Sequence, residues 1–186
     1  TVYATFFYID FDNLISRLGT NTDDAYSRGI EAGFQWNILN QLLSLSAHYT
    51  WVDTEDESAG LGQRLPNYPT HSLSANLRAS PWRSLKLDTS ILWVGNQLES
   101  FPLINSEGVF IDGSPSAALD GGTNPGYFIW NLAASYTFDL VEGSQSHPQE
   151  IKVYGKINNL LNNRYEASFG FPSPGINFLA GMDLLF

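Results

Sequence analysis

The chain has 186 residues, a net charge of -10, 14% aromatic and 15% charged side chains, and no cysteine. Without cysteine there is neither a disulfide framework nor a thiolate metal centre, and the acidic balance offers no basic stripe to neutralise nucleic-acid phosphates. So many Trp, Tyr and Phe with so few charges also exclude a disordered acidic tail.

No stretch approaches the roughly 20 apolar residues of a membrane-spanning helix, but a spanning strand needs only about 9–11 residues with one apolar face. Thr1-Val2-Tyr3 runs directly into a strand-like pattern. No signal peptide is therefore expected in the chain, which reads as mature, truncated or part of something longer.

Alternation with period 2 dominates, and helical periodicity is almost absent. In chain order it predicts eight strands, at 2–13, 25–38, 42–54, 69–80, 84–98, 127–139, 150–162 and 176–186. In the third, Leu43, Leu45, Ala47, Tyr49 and Trp51 alternate with Ser44, Ser46, His48 and Thr50. In the fourth, Leu73, Ala75, Leu77 and Ala79 oppose Ser72, Ser74, Asn76 and Arg78. The sixth carries the row Phe128, Trp130, Leu132, Ala134, Tyr136 and Phe138. Strands two and four end in short turns, Asn37–Gln41 and Ser80–Ser84. Strands three, five and seven run into longer Gly-, Pro- and Asp-rich loops, the longest from Glu99 to Pro125. The connection Asp139–Gln149 is long for the short-turn side.

Charge placement sharpens the assignment, because a Lys or Arg on a lipid face at mid-bilayer costs about 2–4 kcal/mol. Arg78, Lys86, Lys152 and Lys156 oppose the apolar rows, and Asp10, Glu31, Asp88 and Asp183 take the polar parity. Arg28, beside Ile30, Ala32 and Phe34, is the exception, and it sits near the loop end where the cost falls to about 0–1 kcal/mol. Trp36 and Trp82 fall at the short-turn ends and Trp51 and Trp93 toward the loop ends, as interfacial girdles do. The expected fold is an all-β, antiparallel transmembrane β-barrel.

Several segments resemble one family. Asn159-Leu160-Leu161-Asn162-Asn163-Arg164-Tyr165 resembles the Asn-Leu-Phe-Asp-x-x-Tyr pattern of TonB-dependent outer-membrane receptors. Gly170-Phe171-Pro172, Pro174-Gly175 and Phe178 resemble the loop leading into their final strand. Tyr8, Asp10 and Asp12-Asn13-Leu14-Ile15, followed by Gly29-Ile30-Glu31, look like a hairpin of the same family, and Leu65-Pro66-Asn67, Pro69 and His71 like its loop-to-strand lead-in. Asn162 stands where the family has Asp, and Ile176 where it has Arg.

The resemblance implies the C-terminal part, residues 1–186, of a barrel of about 22 strands with a plugged lumen. It also implies import of a bulky scarce nutrient, an iron–siderophore or cobalamin type of solute, powered by TonB through a plug outside this sequence. Phe178, Ala180, Met182, Leu184 and Phe186 resemble the terminal signal recognised by the barrel-assembly machinery. Outer-membrane lipid and lipopolysaccharide are then the expected surroundings, with a metal chelate as the small-molecule partner. No nucleic acid, cofactor or enzymatic activity is expected. Two other readings of the strands are a complete eight-stranded barrel acting as anchor or adhesin and a soluble lipocalin-like binder.

Individual sites are weaker. Asp53, Glu55, Asp56 and Glu57 could ligate Ca²⁺ but lack the Gly-centred spacing of an EF-hand, so a solvated loop or diffuse cation bridging to lipopolysaccharide is the plainer reading. Adjacent His71 and Ser72 point to opposite faces and cannot pair as base and nucleophile. His48, beside Ser44 and Ser46, suits a hydrogen-bonding role in the lumen, and His147 a solvated one. The polar-face charges could line a solute path or pack against a plug. Phe101, Phe110 and Tyr127 are the loop candidates for solute contact.

Overall fold

The computed structural model describes residues 1–15, 21–39, 42–57, 64–99, 103–104, 110–111, 123–140, 149–168 and 171–185. The strands are β1 (Val2–Ile15), β2 (Asn21–Ile38), β3 (Leu43–Asp56), β4 (His71–Trp82), β5 (Leu85–Val94), β6 (Gln97–Leu98), β7 (Leu103–Ile104), β8 (Phe110–Ile111), β9 (Thr123–Asn124), β10 (Tyr127–Asp139), β11 (Glu150–Asn158) and β12 (Asn177–Leu185). Eight of them form one sheet in the order β1-β2-β3-β4-β5-β10-β11-β12, each pair antiparallel. The two-residue ladder β6·β9 closes the base of the connection from β5 to β10, and the ladder β7·β8 lies within it. The order is open: among the described residues β1 and β12 are the two edges, so the eight strands do not close as a complete small barrel or a lipocalin-like cup.

Register joins the separate rows into one apolar face. Trp36, Leu45 and Leu77 stand in line, as do Phe34, Ala47 and Ala75, and Ile30, Trp51 and His71. On the other half, Trp93 opposes Phe128, Leu132 opposes Ile157, and Val153 opposes Met182. This face is uncovered, with Phe6, Trp36, Trp93, Trp130, Phe138, Phe178 and Met182 among its exposed side chains. In a soluble protein so large an open apolar surface would demand a partner. Only Ala25 and Leu65 are buried apolar side chains among the described residues, so the sheet has no soluble-type core.

The opposite face is polar and stitched by side-chain bonds. Arg78 meets Asp88 at 3.3 Å, Lys152 meets Asp183 at 3.3 Å, and Asn76 donates to Asp88 at 3.1 Å. At its loop end residues 64–70 fold back over β3: Thr54 Oγ1 accepts from the Leu65 amide at 3.1 Å, while Arg64 donates to Thr70 Oγ1 and to the Val52 carbonyl.

One placement differs from the sequence expectation, and a second, Trp82, reaches its expected girdle position only through a break in alternation. Asp10 lies on the apolar face, aligned with Tyr26 and Glu55. Strand β1 carries large apolar groups on both parities (Phe6 and Tyr8 on one, Phe7, Ile9 and Phe11 on the other), so alternation within it had no polar reference, and only register with β2 decides. Trp82 has the parity of Arg78 but opposes Leu85 on the apolar face, because a bulge between Ala79 and Trp82 inserts an extra step. Pro81, which cannot donate to a ladder, sits inside that bulge.

The connections are two-sided. On one side the Leu42 amide bonds back to the Leu39 carbonyl at 3.1 Å, with Leu39 at φ 53°, and residues 83–84 turn tightly. The connections after β1, β3, β5 and β11 lie on the other. On the short-turn side Leu140 and Gln149 extend the β10·β11 pairing by one backbone bond of 2.9 Å, and residues 141–148 of that connection, His147 included, lie outside the described residues.

Candidate functional site

The loop side concentrates the polar chemistry. At the end of β11, Asn159 takes φ 53°, which stops the strand, and its side chain is 3% exposed. Asn tolerates this left-handed conformation better than most residues. Its Oδ1 accepts the Asn163 amide at 3.0 Å and its Nδ2 donates to the carbonyls of Asn163 at 2.9 Å and Pro174 at 3.3 Å. The Asn159 amide donates to Asn131 Oδ1 at 3.0 Å, the Leu160 amide to the Trp130 carbonyl at 2.7 Å, and Asn163 Nδ2 to the Phe128 carbonyl at 2.6 Å. Asn162, at φ 52°, receives the Ile176 amide on Oδ1 at 2.9 Å. The motif Asn159, Leu160, Asn162 is therefore a backbone knot that ties β10, β11 and the start of β12 together.

The chain beyond the knot folds over the polar face. Tyr165 stacks on Tyr127, centroids 4.4 Å apart, and Pro172 bridges to Glu166. Gly175 sits so close to Asn162 that a Cβ there would meet Oδ1 at 2.6 Å. Gly170 lies outside the described residues.

Beneath this loop is a carboxylate that alternation could not flag. Glu99, 4% exposed, accepts Gln97 Nε2 at 2.9 Å and Asn124 Nδ2 at 2.7 Å on Oε1, and Ser168 Oγ at 3.0 Å on Oε2. Gln97 also donates to the Ala167 carbonyl at 3.2 Å, and Asn124 to the Glu166 carbonyl at 2.9 Å. Charge-assisted bonds of this kind are about twice as strong as neutral ones, and here they clamp the base of the longest loop to the β11–β12 loop. A lone Glu in a Gly- and Pro-rich stretch reads as solvated, so sequence gave no signal for it.

Above the clamp opens a cavity of about 710 Å³, lined by Asn124, Pro125, Arg164, Tyr165, Glu166 and Ser173 among others. Among the described residues Arg164 makes no ion pair. A second cavity of about 400 Å³, at Phe7, Ile9, Phe11 and Tyr68 with Glu31, lies on the same face of β1–β3.

Of the other sequence candidates, Tyr127 is at the first cavity's edge through Tyr165, Phe101 is outside the described residues, and Phe110 is placed only as backbone, opposite Ile104. The acidic set does not form a calcium site. Asp53 and Glu55 share the apolar-face parity, whereas Asp56 points the other way. Asp53 is held by Arg28 at 2.8 Å and Glu55 by the Tyr26 hydroxyl at 2.6 Å. No group of three metal-ligating side chains gathers among the described residues. His48 shares a 2.7 Å hydrogen bond with Tyr3, and His71 lies on the apolar face, bonded to Tyr49 at 2.7 Å and stacked on Trp93. Phe178, Ala180, Met182 and Leu184 form one row of the edge strand β12, and Phe186 is outside the described residues.

The architecture has known counterparts. The family model for the TonB dependent receptor-like β-barrel matches residues 1–160. Among solved structures, the ferric-catecholate import receptor Fiu from E. coli K12 is similar with a TM-score of 0.69 at 17% identity, over 100% of this chain and 25% of that one. The ferric yersiniabactin uptake receptor FyuA from Yersinia pestis gives 0.68 at 13% identity, over 100% and 27%. The copper transporter OprC gives 0.65 at 18% identity, over 100% and 28%. No curated protein sequence matches. The chain thus spans about a quarter of the length of these structures, and it belongs to the TonB-dependent receptor β-barrel family.

Proposed function

We propose that this chain supplies wall strands and extracellular loops to an outer-membrane receptor that imports a bulky, scarce solute of the iron–siderophore or cobalamin type by TonB-driven transport. The observation that carries the proposal is the two-faced sheet. Its apolar row from Leu43 to Trp51 is nine residues long, within the about 9–11 of a tilted spanning strand. Aromatic side chains stand at both ends of that band, a salt-linked polar face lies behind it, and the long loops share one side. Receptors of similar structure are named for the import of ferric catecholates, the uptake of ferric yersiniabactin and the transport of copper.

The plug and its TonB contact would come from the three-quarters of the receptor not represented here. The row Phe178, Ala180, Met182 and Leu184, with Phe186, would serve as the strand offered to the barrel-assembly machinery. Lipopolysaccharide would surround the loop-side rim. The test is uptake of radiolabelled ferric siderophores and cobalamin by cells carrying the full-length receptor, with and without TonB. Accumulation that needs both proteins is expected. A receptor recovered in the soluble fraction, or uptake of none of these solutes, would overturn it.

A further inference from the structure

We infer that the 710 Å³ cavity over the Glu99 clamp is a binding site for an anionic group, a carboxylate or phosphate, with Arg164 as the group that grips it. This rests on the import reading and adds the chemistry of the solute. The volume lies within the roughly 300–1,000 Å³ of small-molecule sites. The cavity is built rather than incidental: Asn124, on its wall, is 4% exposed and fixed to both Glu99 and the Glu166 carbonyl. In a chain of net charge -10, the guanidinium of Arg164 makes no ion pair among the described residues.

Two other cations of the polar face are spoken for, Arg78 by Asp88 and Lys152 by Asp183, and among the residues that line the cavity Arg164 is the cation. A planar guanidinium offers paired donors matched to carboxylate or phosphate. Ser173 adds a hydroxyl and Tyr165 a ring whose place is set by Tyr127. Glu166 on the same wall disfavours a polyanion, so the site takes one anionic group of an otherwise neutral or zwitterionic solute. Tyr127 has the parity of Ser135, opposite Lys86 on the polar face, so the cavity faces the lumen and a solute, rather than a lipopolysaccharide phosphate, is its occupant.

Phenylglyoxal labelling of arginines, read by mass spectrometry on the full-length receptor in its outer membranes, tests this. Glycolate and inorganic phosphate are the probes, and Arg78 is the internal reference. At about two-thirds occupancy either probe should slow labelling of Arg164 about threefold and leave Arg78 unchanged. Arg164→Ala should lose binding of glycolate and phosphate by calorimetry, with unchanged heat-modifiable mobility of the barrel, and Arg164→Lys should retain it only weakly. Equal slowing at both arginines, or none at either, would overturn the inference. So would an Arg164 that is shielded in native membranes and becomes reactive when lipopolysaccharide is stripped, since the anion would then be lipid-borne. Uptake without protection of Arg164 would remove this site and leave the import reading. Protection without uptake would do the reverse.

Discussion

The ring of Tyr3 covers Gly33, its directly opposed partner across the β1·β2 pair, and a Cβ at position 33 would stand 2.8 Å from that ring and from His48 Nδ1. Phe7 covers Gly29 and Tyr154 covers Gly181 in the same way. These three glycines are on the polar face, where an absent side chain lets a neighbouring aromatic ring seal the backbone. Gly155 is different: it lies on the apolar face, and the nearest atom to its added Cβ is the Leu179 carbonyl at 3.9 Å.

The contrast gives the first expectation. Gly33→Ala must displace both the Tyr3 ring and the His48 imidazole, and should destabilise the full-length barrel by about 1–3 kcal/mol, as overpacking does. Gly155→Ala should be neutral or slightly stabilising, by up to about 1 kcal/mol, because it restrains the unfolded chain without a clash. Urea unfolding in lipid bilayers measures both, and equal effects would refute the account of Gly33.

Asn159 and Asn162 separate two roles inside one motif. Asn159 both donates and accepts from a buried position, so Asn159→Asp would remove two donated bonds and bury a carboxylate beside carbonyls. Asn162 is bonded as an acceptor, to the Ile176 amide, and Asp keeps that oxygen and tolerates positive φ. Asn159→Asp is expected to cost at least about 2 kcal/mol, since each orphaned buried group costs about 1–3 kcal/mol. Asn162→Asp should stay within about 0.5 kcal/mol, as for substitutions that touch no special feature. A large loss at Asn162 would mean that its amide nitrogen matters in a way the hydrogen bonds do not reveal.

The same distinction explains how much was legible. The eight long strands were readable because alternation maps directly onto faces: Leu43 to Trp51 predicts its own register row, and β3 begins and ends within two residues of the expected bounds. The departure of Asn162 from the family pattern is harmless for a reason visible only in three dimensions. Asp10 was misplaced because both parities of β1 are apolar, and Trp82 changes face through a bulge that period counting skips over. The Glu99 clamp joins residues 69 positions apart, Glu99 and Ser168, and no local pattern announces a bond over that distance. The tiny ladders β6·β9 and β7·β8 are too short for alternation to register at all.

Face assignment has a direct test at neighbouring residues. Ala47 sits in the middle of the apolar row, between Phe34 and Ala75, while Ser46 faces the other way between Gln35 and Asn76. Ala47→Arg is expected to destabilise the full-length barrel in lipid by about 2–4 kcal/mol, and Ser46→Arg by much less. At the loop end the rule relaxes. Arg28 already shares the outward face, half exposed and paired with Asp53, so Asp53→Asn should change stability by no more than about 1 kcal/mol. Reversal of the Ala47 and Ser46 effects would turn the sheet inside out and return the soluble, ligand-enclosing arrangement to consideration.

The open edges set a limit on what this segment can do by itself. β1 and β12 each present one ladder without a partner among the described residues, and a backbone group left unbonded in hydrocarbon costs several kcal/mol. Fourteen residues in β1 and nine in β12 place many such groups on the two flanks, far beyond what a marginally stable sheet can offset. The isolated chain, refolded in detergent, should therefore pair its edges with other copies or with each other, and should not persist as an open monomer. Light scattering would report the mass, and heat-modifiable gel mobility would report whether a closed barrel has formed. A stable, open monomer would require the edges to be satisfied by something other than strand pairing, with detergent-bound water the first candidate to examine by hydrogen exchange at Val2–Ile15.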